Sequence, residues 1–248
     1  MTEASRPTTF DVVVPALLIQ AARSPDFAGT RRYARAAAAT WIDYFLLSGS
    51  TTQGHLLNAT ERARVLDLWL EAAEPTRLLA CCWTPADIAH ARDRGIAIIA
   101  PLQGPHDPRQ TLAVLRTLPL NSFVYSHPVF GGAIFDAGLA AAARDENVLP
   151  AGGKLAKVSI GAIRAIREAA GETFALWDGS SRRIRLSLAA GATGIVATPL
   201  SAFEHPLPTK DVQSLQASID PQQARLDTLP DRATRTQDLL DRAARSYA

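Results

Sequence analysis

Lysine is the scarce charge in this sequence. Its 248 residues carry 26 positive side chains, of which only Lys154, Lys157 and Lys210 are lysines and 23 are arginines. An arginine keeps its proton inside a protein, whereas a lysine amine gives it up in apolar surroundings and becomes a nucleophile. Two of the three lysines fall in one stretch of small residues, VLPAGGKLAKVSI, from Val148 to Ile160, so chemistry is sought there first. Cysteine is scarcer still. Cys81 and Cys82 are adjacent and alone, which excludes a disulfide scaffold, makes no metal motif, and fits buried thiols of a strand in a reduced, cytoplasmic protein. Long apolar runs are also missing. MTEASRPTTF has no signal core, and DVVVPALLIQAA is too short for a bilayer span and is interrupted by Pro15. Nor does one sign of charge dominate: 24 acidic side chains leave a net charge of +2, and with arginines scattered along the chain nothing calls for nucleic acid or an anionic membrane. No G-x-G-x-x-G follows the first apolar run, which argues against a dinucleotide site.

What is present is alternation. Eight short, nearly continuous apolar runs read as strands: DVVVPALL (Asp11–Leu18), IDYFLLSG, RLLACCW, IAIIAPL, SFVYS, VLPAGGKL, TFALWDG and TGIVATPL. Between them lie helical patterns, among them ATERARVLDLWLEAA, PADIAHARDRG opened by Pro85, SIGAIRAIREAAG ending at Gly171, and SSRRIRLSLAAG ending at Gly191. Strands apolar on both faces belong to parallel sheets, and parallel neighbours need crossover helices. Eight such units in about 250 residues predict a closed (β/α)8 TIM barrel, with a doubly wound open sheet as the runner-up. The barrel core is expected over residues 1–203. Residues 204–248, polar and punctuated by Pro206, Pro208, Pro221 and Pro230, are expected to hold the last barrel helix, within Lys210–Ile219, and a C-terminal helical extension of the same single domain.

Barrel active sites lie at the C-terminal ends of the strands, which selects a few residues. After the second strand, Ser50, Thr51 and Thr52 place hydroxyls and backbone amides in a glycine-flanked turn able to hold a carboxylate or phosphate. A plain loop leading to an Asn58–Glu61 capping box explains the same letters. Tyr125, at the end of the fifth strand, is either a proton relay or a core tyrosine, and the lone His127 beside it reads as structural or exposed. Lys154, at the end of the sixth, is either a nucleophile in an apolar mouth or an exposed lysine at a helix start. Lys157 reads as a rim charge. Asp178, Gly179, Ser180 and Ser181, after the seventh strand, offer small polar groups for a substrate or simply cap a helix.

Taken in order, these stretches resemble the dihydrodipicolinate synthase / N-acetylneuraminate lyase family of class I Schiff-base aldolases. The family's G-[ST]-T-G-E-x-x-x-L-[ST]-x-x-E-R loop is met by Gly49 to Arg62 at the glycine, the hydroxyl pair, the leucine and Glu61-Arg62. Its Tyr-x-x-Pro is met by Tyr125 to Pro128, its G-x-K by Gly152-Gly153-Lys154, and its later G-A-x-G-x-[IV] by Gly191 to Val196. The resemblance runs from about Asp11 to Phe203. It implies a (β/α)8 barrel in which Lys154 forms a Schiff base with pyruvate or a related 2-oxo acid, Ser50 and Thr51 hold the acid's carboxylate, and Tyr125 shuttles protons. It implies no metal and no organic cofactor, a small-molecule aldehyde as second partner, and a homo-oligomer, dimer or tetramer.

The departures narrow this further. Thr52 and Gln53 replace the family's Gly and Glu. Val129-Phe130-Gly131-Gly132 contains no arginine where the lysine-pathway synthases bind the second substrate's carboxylate, and Ala100 to Gly104 lacks their relay tyrosine. The lysine-pathway reaction is therefore not expected, and Phe130 favours an apolar or uncharged second substrate. The Ser50-Thr51 pair is nearer the sialic acid lyase variant, but Leu155-Ala156 does not support a sugar-acid site. The chain is shorter than is usual for the family, so the C-terminal extension is expected to be reduced. A hydratase or dehydratase using another 2-oxo acid and a non-catalytic ligand-binding barrel are the alternatives.

Overall fold

The computed structural model describes residues 9–21, 24–104, 107–128 and 132–248. Its strands are β1 (Asp11–Pro15), β2 (Gln20–Ala21), β3 (Ser24–Pro25), β4 (Tyr44–Leu47), β5 (Leu78–Cys81), β6 (Ala97–Pro101), β7 (Phe123–Ser126), β8 (Gly152–Leu155), β9 (Ala175–Asp178) and β10 (Gly194–Val196). Its helices are α1 (Phe27–Ala38), α2 (Ala59–Leu70), α3 (Pro85–Asp93), α4 (Pro108–Thr117), α5 (Ala137–Asp145), α6 (Ile160–Ala170), α7 (Ile184–Ala189), α8 (Val212–Asp227) and α9 (Arg232–Tyr247). Eight strands, β1 and β4 to β10, close a barrel in which every neighbouring pair is parallel and β1 joins both β4 and β10. The fold is the TIM barrel expected from the apolar alternation.

The period-two geometry of a strand explains why the runs are apolar throughout. Val13, Leu46, Leu79, Cys81, Ile99, Tyr125, Trp177 and Val196 pack together inside the barrel. The residues between them face the helices: Val12, Val14, Phe45, Leu47, Ala80 and Ile98 on one side, and Val124, Leu155 and Leu176 on the other. Cys81 and Cys82 are both free and buried, as their place in an apolar run suggests.

The floor of the barrel is aromatic. Phe123 stacks on Trp177 at 4.6 Å, and Tyr44 lies 5.4 Å from the same ring. The Trp177 indole N–H donates to Asp11 at 2.9 Å, so this buried ring leaves no donor unmet. Gly152 is required beside it: a Cβ there would stand 2.8 Å from the Phe123 ring and 2.4 Å from the Ala175 carbonyl oxygen. The N-terminal end of the barrel also accounts for the third lysine. Lys210 pairs with Asp43 at 2.6 Å, far along the strands from the other two.

Local capping sets the helix starts. Asn58 and Glu61 form the anticipated capping box, Thr84 and Asp87 form a second, and Pro85 opens α3. Gly171 and Gly191 end their helices at φ 86° and 102°, values that glycine adopts without strain. Two expectations change, and one small element is new. The helix expected from Ser180 begins only at Ile184, because Asp178 accepts the Ser180 amide at 3.1 Å and holds the intervening residues in a loop. The last barrel helix does not stop near Ile219 but continues to Asp227 through Pro221. Proline removes one helical donor, but Pro221 and Ala217, whose carbonyl loses that donor, are both exposed. The small antiparallel β2–β3 pair is too short to leave a pattern in the sequence. Among the described residues no helix is long and apolar enough to cross a membrane.

Candidate active site

Register decides what Lys154 can do. Lys154 on β8 pairs with Tyr125 on β7 and with Trp177 on β9. Partners in parallel register point to the same face, and both Tyr125 and Trp177 point into the barrel. Lys154 therefore projects inward near the C-terminal end of its strand, and only 4% of it is exposed. Its amine lies 4.2 Å from the centre of the Tyr125 ring. Among the described residues no carboxylate lies within salt-bridge distance of that amine.

The Tyr125 hydroxyl meets Ser50 Oγ at 2.6 Å, and both side chains are buried. Ser50 is presented by a tight loop after β4, in which the Gly54 amide donates to the Gly49 carbonyl at 2.9 Å and the Thr52 hydroxyl to the same oxygen at 3.0 Å. Gln53, one of the two departures noted above, takes a left-handed conformation (φ 55°) in this turn. The loop is anchored from outside. The Trp83 indole donates to the Ser48 carbonyl at 2.8 Å, and buried Arg62 donates to the Gly54 and Leu57 carbonyls. Arg62 is in turn held by Asp87 at 2.9 Å. The Glu61-Arg62 pair thus has a physical meaning that the motif alone does not disclose: Glu61 starts α2 and Arg62 braces the loop that carries Ser50.

A cavity of about 740 Å³ opens over these groups at the C-terminal end of the barrel. Lys154, Tyr125, Ser50, Thr51, Gly179 and Ser180, all singled out from the sequence, reach it, whereas Thr52 does not line it. Lys154, Tyr125 and Ser50 form the buried cluster, whereas Thr51, Gly179 and Ser180 line the wall. Gly179 is there for a steric reason as well, since a Cβ would sit 2.8 Å from the Leu155 carbonyl oxygen and from Ala156 Cα. Asp178, fully buried, is a scaffold for that wall: it accepts from Ser187 at 2.6 Å and lies 3.7 Å from Arg183. Burial pushes its carboxyl upward, against the pull of the Ser187 and Arg183 contacts.

His127 is neither exposed nor charged. It is 8% exposed, and burial together with Arg232, Lys154 and Lys157 pushes it down to about 4. Its Nε2 accepts from Arg232 at 3.4 Å. Arg232, the first residue of α9, also reaches the Tyr125 side chain. The strand-end reading of the sequence missed it. The Asp231–Thr234 spacing does signal a helix start, and Asp231 caps α9 by accepting the Thr234 amide at 2.8 Å, but nothing local says that this start docks over the barrel mouth. Val129, Phe130 and Gly131 lie outside the described residues.

No protein-family model matches the chain, and no curated protein matches it in sequence. Solved structures do match in fold. The 2-keto 3-deoxygluconate aldolase from Picrophilus torridus superposes with a TM-score of 0.76 at 16% identity, covering 94% of this chain and 93% of that one. YagE, a prophage protein of the dihydrodipicolinic acid synthase family from E. coli K12 in complex with pyruvate, gives 0.67 at 20% identity over 93% and 80%. The barrel is similar to those of the dihydrodipicolinate synthase family. The Ruminococcus gnavus sialic acid aldolase gives 0.68 at 14% identity over 94% of this chain and 79% of that one. The likeness in fold extends over nearly the whole chain, beyond the Asp11–Phe203 stretch that carries the motifs.

Proposed function

We propose that this chain is a class I aldolase or lyase that forms a Schiff base between Lys154 and pyruvate or a related 2-oxo acid. The reading is carried by one arrangement: a buried amine 4.2 Å from the Tyr125 ring, whose hydroxyl meets Ser50 at 2.6 Å. In its neutral form the amine adds to the keto carbon. The ketone oxygen takes up a proton, then a second as it leaves as water, and a protonated imine remains. The Tyr125 hydroxyl, coupled to Ser50, is placed to pass these protons. The imine draws electrons from the neighbouring carbon, so a C–C or C–H bond there breaks to give an enamine, and in reverse the enamine adds to an aldehyde. Thr51, Ser50 and the loop amides hold the carboxylate, and Gly179 and Ser180 line the far side of the substrate. The route needs neither a metal nor an organic cofactor. Two observations support it besides geometry: aldolases share the fold, and YagE, which also shares it, binds pyruvate. The departures in the sequence argue against the lysine-pathway reaction.

The test is intact mass after incubation with pyruvate and sodium borohydride. Wild type is expected to gain one reduced adduct and Lys154→Ala none. If a longer 2-oxo acid is trapped in place of pyruvate, the donor changes and the chemistry stands. If no 2-oxo acid is trapped, the reading fails and a ligand-binding barrel replaces it.

A further inference from the structure

The walls of the cavity are far more positive than the chain. The molecule carries a net charge of +2, yet Lys154, Lys157, Arg182, Arg183, Arg232 and Arg235 all line this one cavity, against the single carboxylate of Asp178. Two of the six are neutralised where they stand: Arg182 pairs with Asp227, and Arg183 lies against Asp178. Lys154 faces the Schiff-base position. That leaves Lys157, exposed at the rim, and Arg235, one helical turn beyond Arg232 at the start of α9; Arg232 itself is engaged with His127 and the Tyr125 side chain. Among the described residues neither Lys157 nor Arg235 has a carboxylate at salt-bridge distance; Asp227 and Asp231 act on Arg235 from further away, the first already engaged by Arg182 and the second by the Thr234 amide. Arg235 donates to the Leu229 carbonyl at 3.2 Å, but its buried Nε–H has no acceptor among the described residues. The buried Ser181 hydroxyl, which lines the same cavity, has none either. Charged donors left without acceptors in a partly dry site are costly unless a ligand meets them.

We infer that Arg232, Arg235 and Lys157 form an anion subsite for the far end of the second substrate, an aldehyde carrying a carboxylate or a phosphate. The subsite deepens the Schiff-base reading and takes its reaction partner from it. It reverses the expectation, drawn from Phe130, of an apolar or uncharged partner: the cations arrive from the C-terminal helix and not from the stretch after Tyr125. Arginine's fork fits the paired oxygens of either anion.

Two arms test it. The first is calorimetric titration of wild type, Arg232→Gln, Arg235→Gln, Arg232→Lys and Arg225→Gln with inorganic phosphate and with succinate. Arg225 sits on α8 outside this cavity, paired with Asp238. Both glutamine variants at the subsite are expected to weaken one anion about tenfold or more, Arg232→Lys less, and Arg225→Gln not at all. Equal binding by all five proteins, or none by wild type, overturns the inference. The second arm supplies pyruvate with glyceraldehyde 3-phosphate, succinic semialdehyde or glyceraldehyde. One charged aldehyde is expected to exceed the neutral one about tenfold in kcat/KM and to lose that lead in Arg235→Gln; a lead for glyceraldehyde overturns it. If no pyruvate adduct forms at all, the Schiff-base reading has failed, and the first arm still decides the subsite.

Discussion

At the scale of single residues, the scarcity of lysine separates three roles. Lys210 is a structural ion pair, Lys157 a rim charge, and Lys154 a buried amine beside a phenol. The sequence singled out Lys154 by its company of small residues, and parity on β8 explains part of that company: Gly152, two residues earlier on the same face, is held to glycine by the Ala175 carbonyl and the Phe123 ring. Tyr125 is the next decisive group. Tyr125→Phe removes the hydroxyl but keeps the ring beneath the amine, so pyruvate is expected to bind while its capture and turnover slow about 100-fold or more; rapid-quench borohydride trapping measures the first and steady-state assay the second. An unchanged rate would assign the protons elsewhere. His127 gives a stability prediction. Its folded value of about 4 lies below the ordinary 6.5, so below about pH 6.5 the unfolded chain takes up a proton that the folded chain refuses. The stabilisation is complete above that value, is lost as pH falls towards 4, and changes no further below it. Urea midpoints from about pH 7 to pH 4 should therefore fall more steeply for wild type than for His127→Gln, which cannot titrate. Parallel curves would mean that His127 ionises freely in the folded protein.

At the scale of elements, what was legible follows from the physics of each. The eight strands announced themselves because a barrel strand is covered on both faces, which demands an unbroken apolar run. Helix starts at Asn58 and Pro85 and stops at Gly171 and Gly191 were legible because capping is local chemistry. The start of α7 and the passage of α8 through Pro221 were not, since Asp178 reaching the Ser180 amide and the exposure of Ala217 are consequences of packing. The site was legible in the same proportion: residues at strand ends were found, whereas Arg232 belongs to an element whose docking is set by long-range contacts. Gly152 tests how tightly β8 is held. Gly152→Ala drives a methyl against the Ala175 carbonyl and the Phe123 ring, at 2.4 Å and 2.8 Å, and a backbone oxygen cannot swing aside as a side chain does. A loss of about 1–3 kcal/mol is expected from such overpacking, measured by urea unfolding, together with slower pyruvate capture as Lys154 shifts. Full activity at lower stability would show that the strand moves as a unit without disturbing the amine.

At the scale of the molecule, the charge is nearly balanced in sum and uneven in place. Asp11 and Asp43 lie at the N-terminal end of the barrel with Lys210, while lysines and arginines outnumber carboxylates around the cavity at the other end. A 2-oxo acid is an anion, so this asymmetry draws it towards the open end before any contact is made. The attraction acts over distances that salt controls: the screening length is about 10 Å at 0.1 M and about 3 Å at 1 M. Chemistry at Lys154 takes place in a buried cluster, where screening is weaker. The two steps should therefore respond differently. Raising sodium chloride from about 0.01 M to about 1 M, which shortens the screening length from about 30 Å to about 3 Å, is expected to raise KM for pyruvate several-fold and leave kcat nearly constant. In Arg232→Gln, which removes one of these charges, the rise in KM should be smaller. A kcat that falls with salt while KM stays flat would place the salt-sensitive charges at the reacting atoms and not at the mouth.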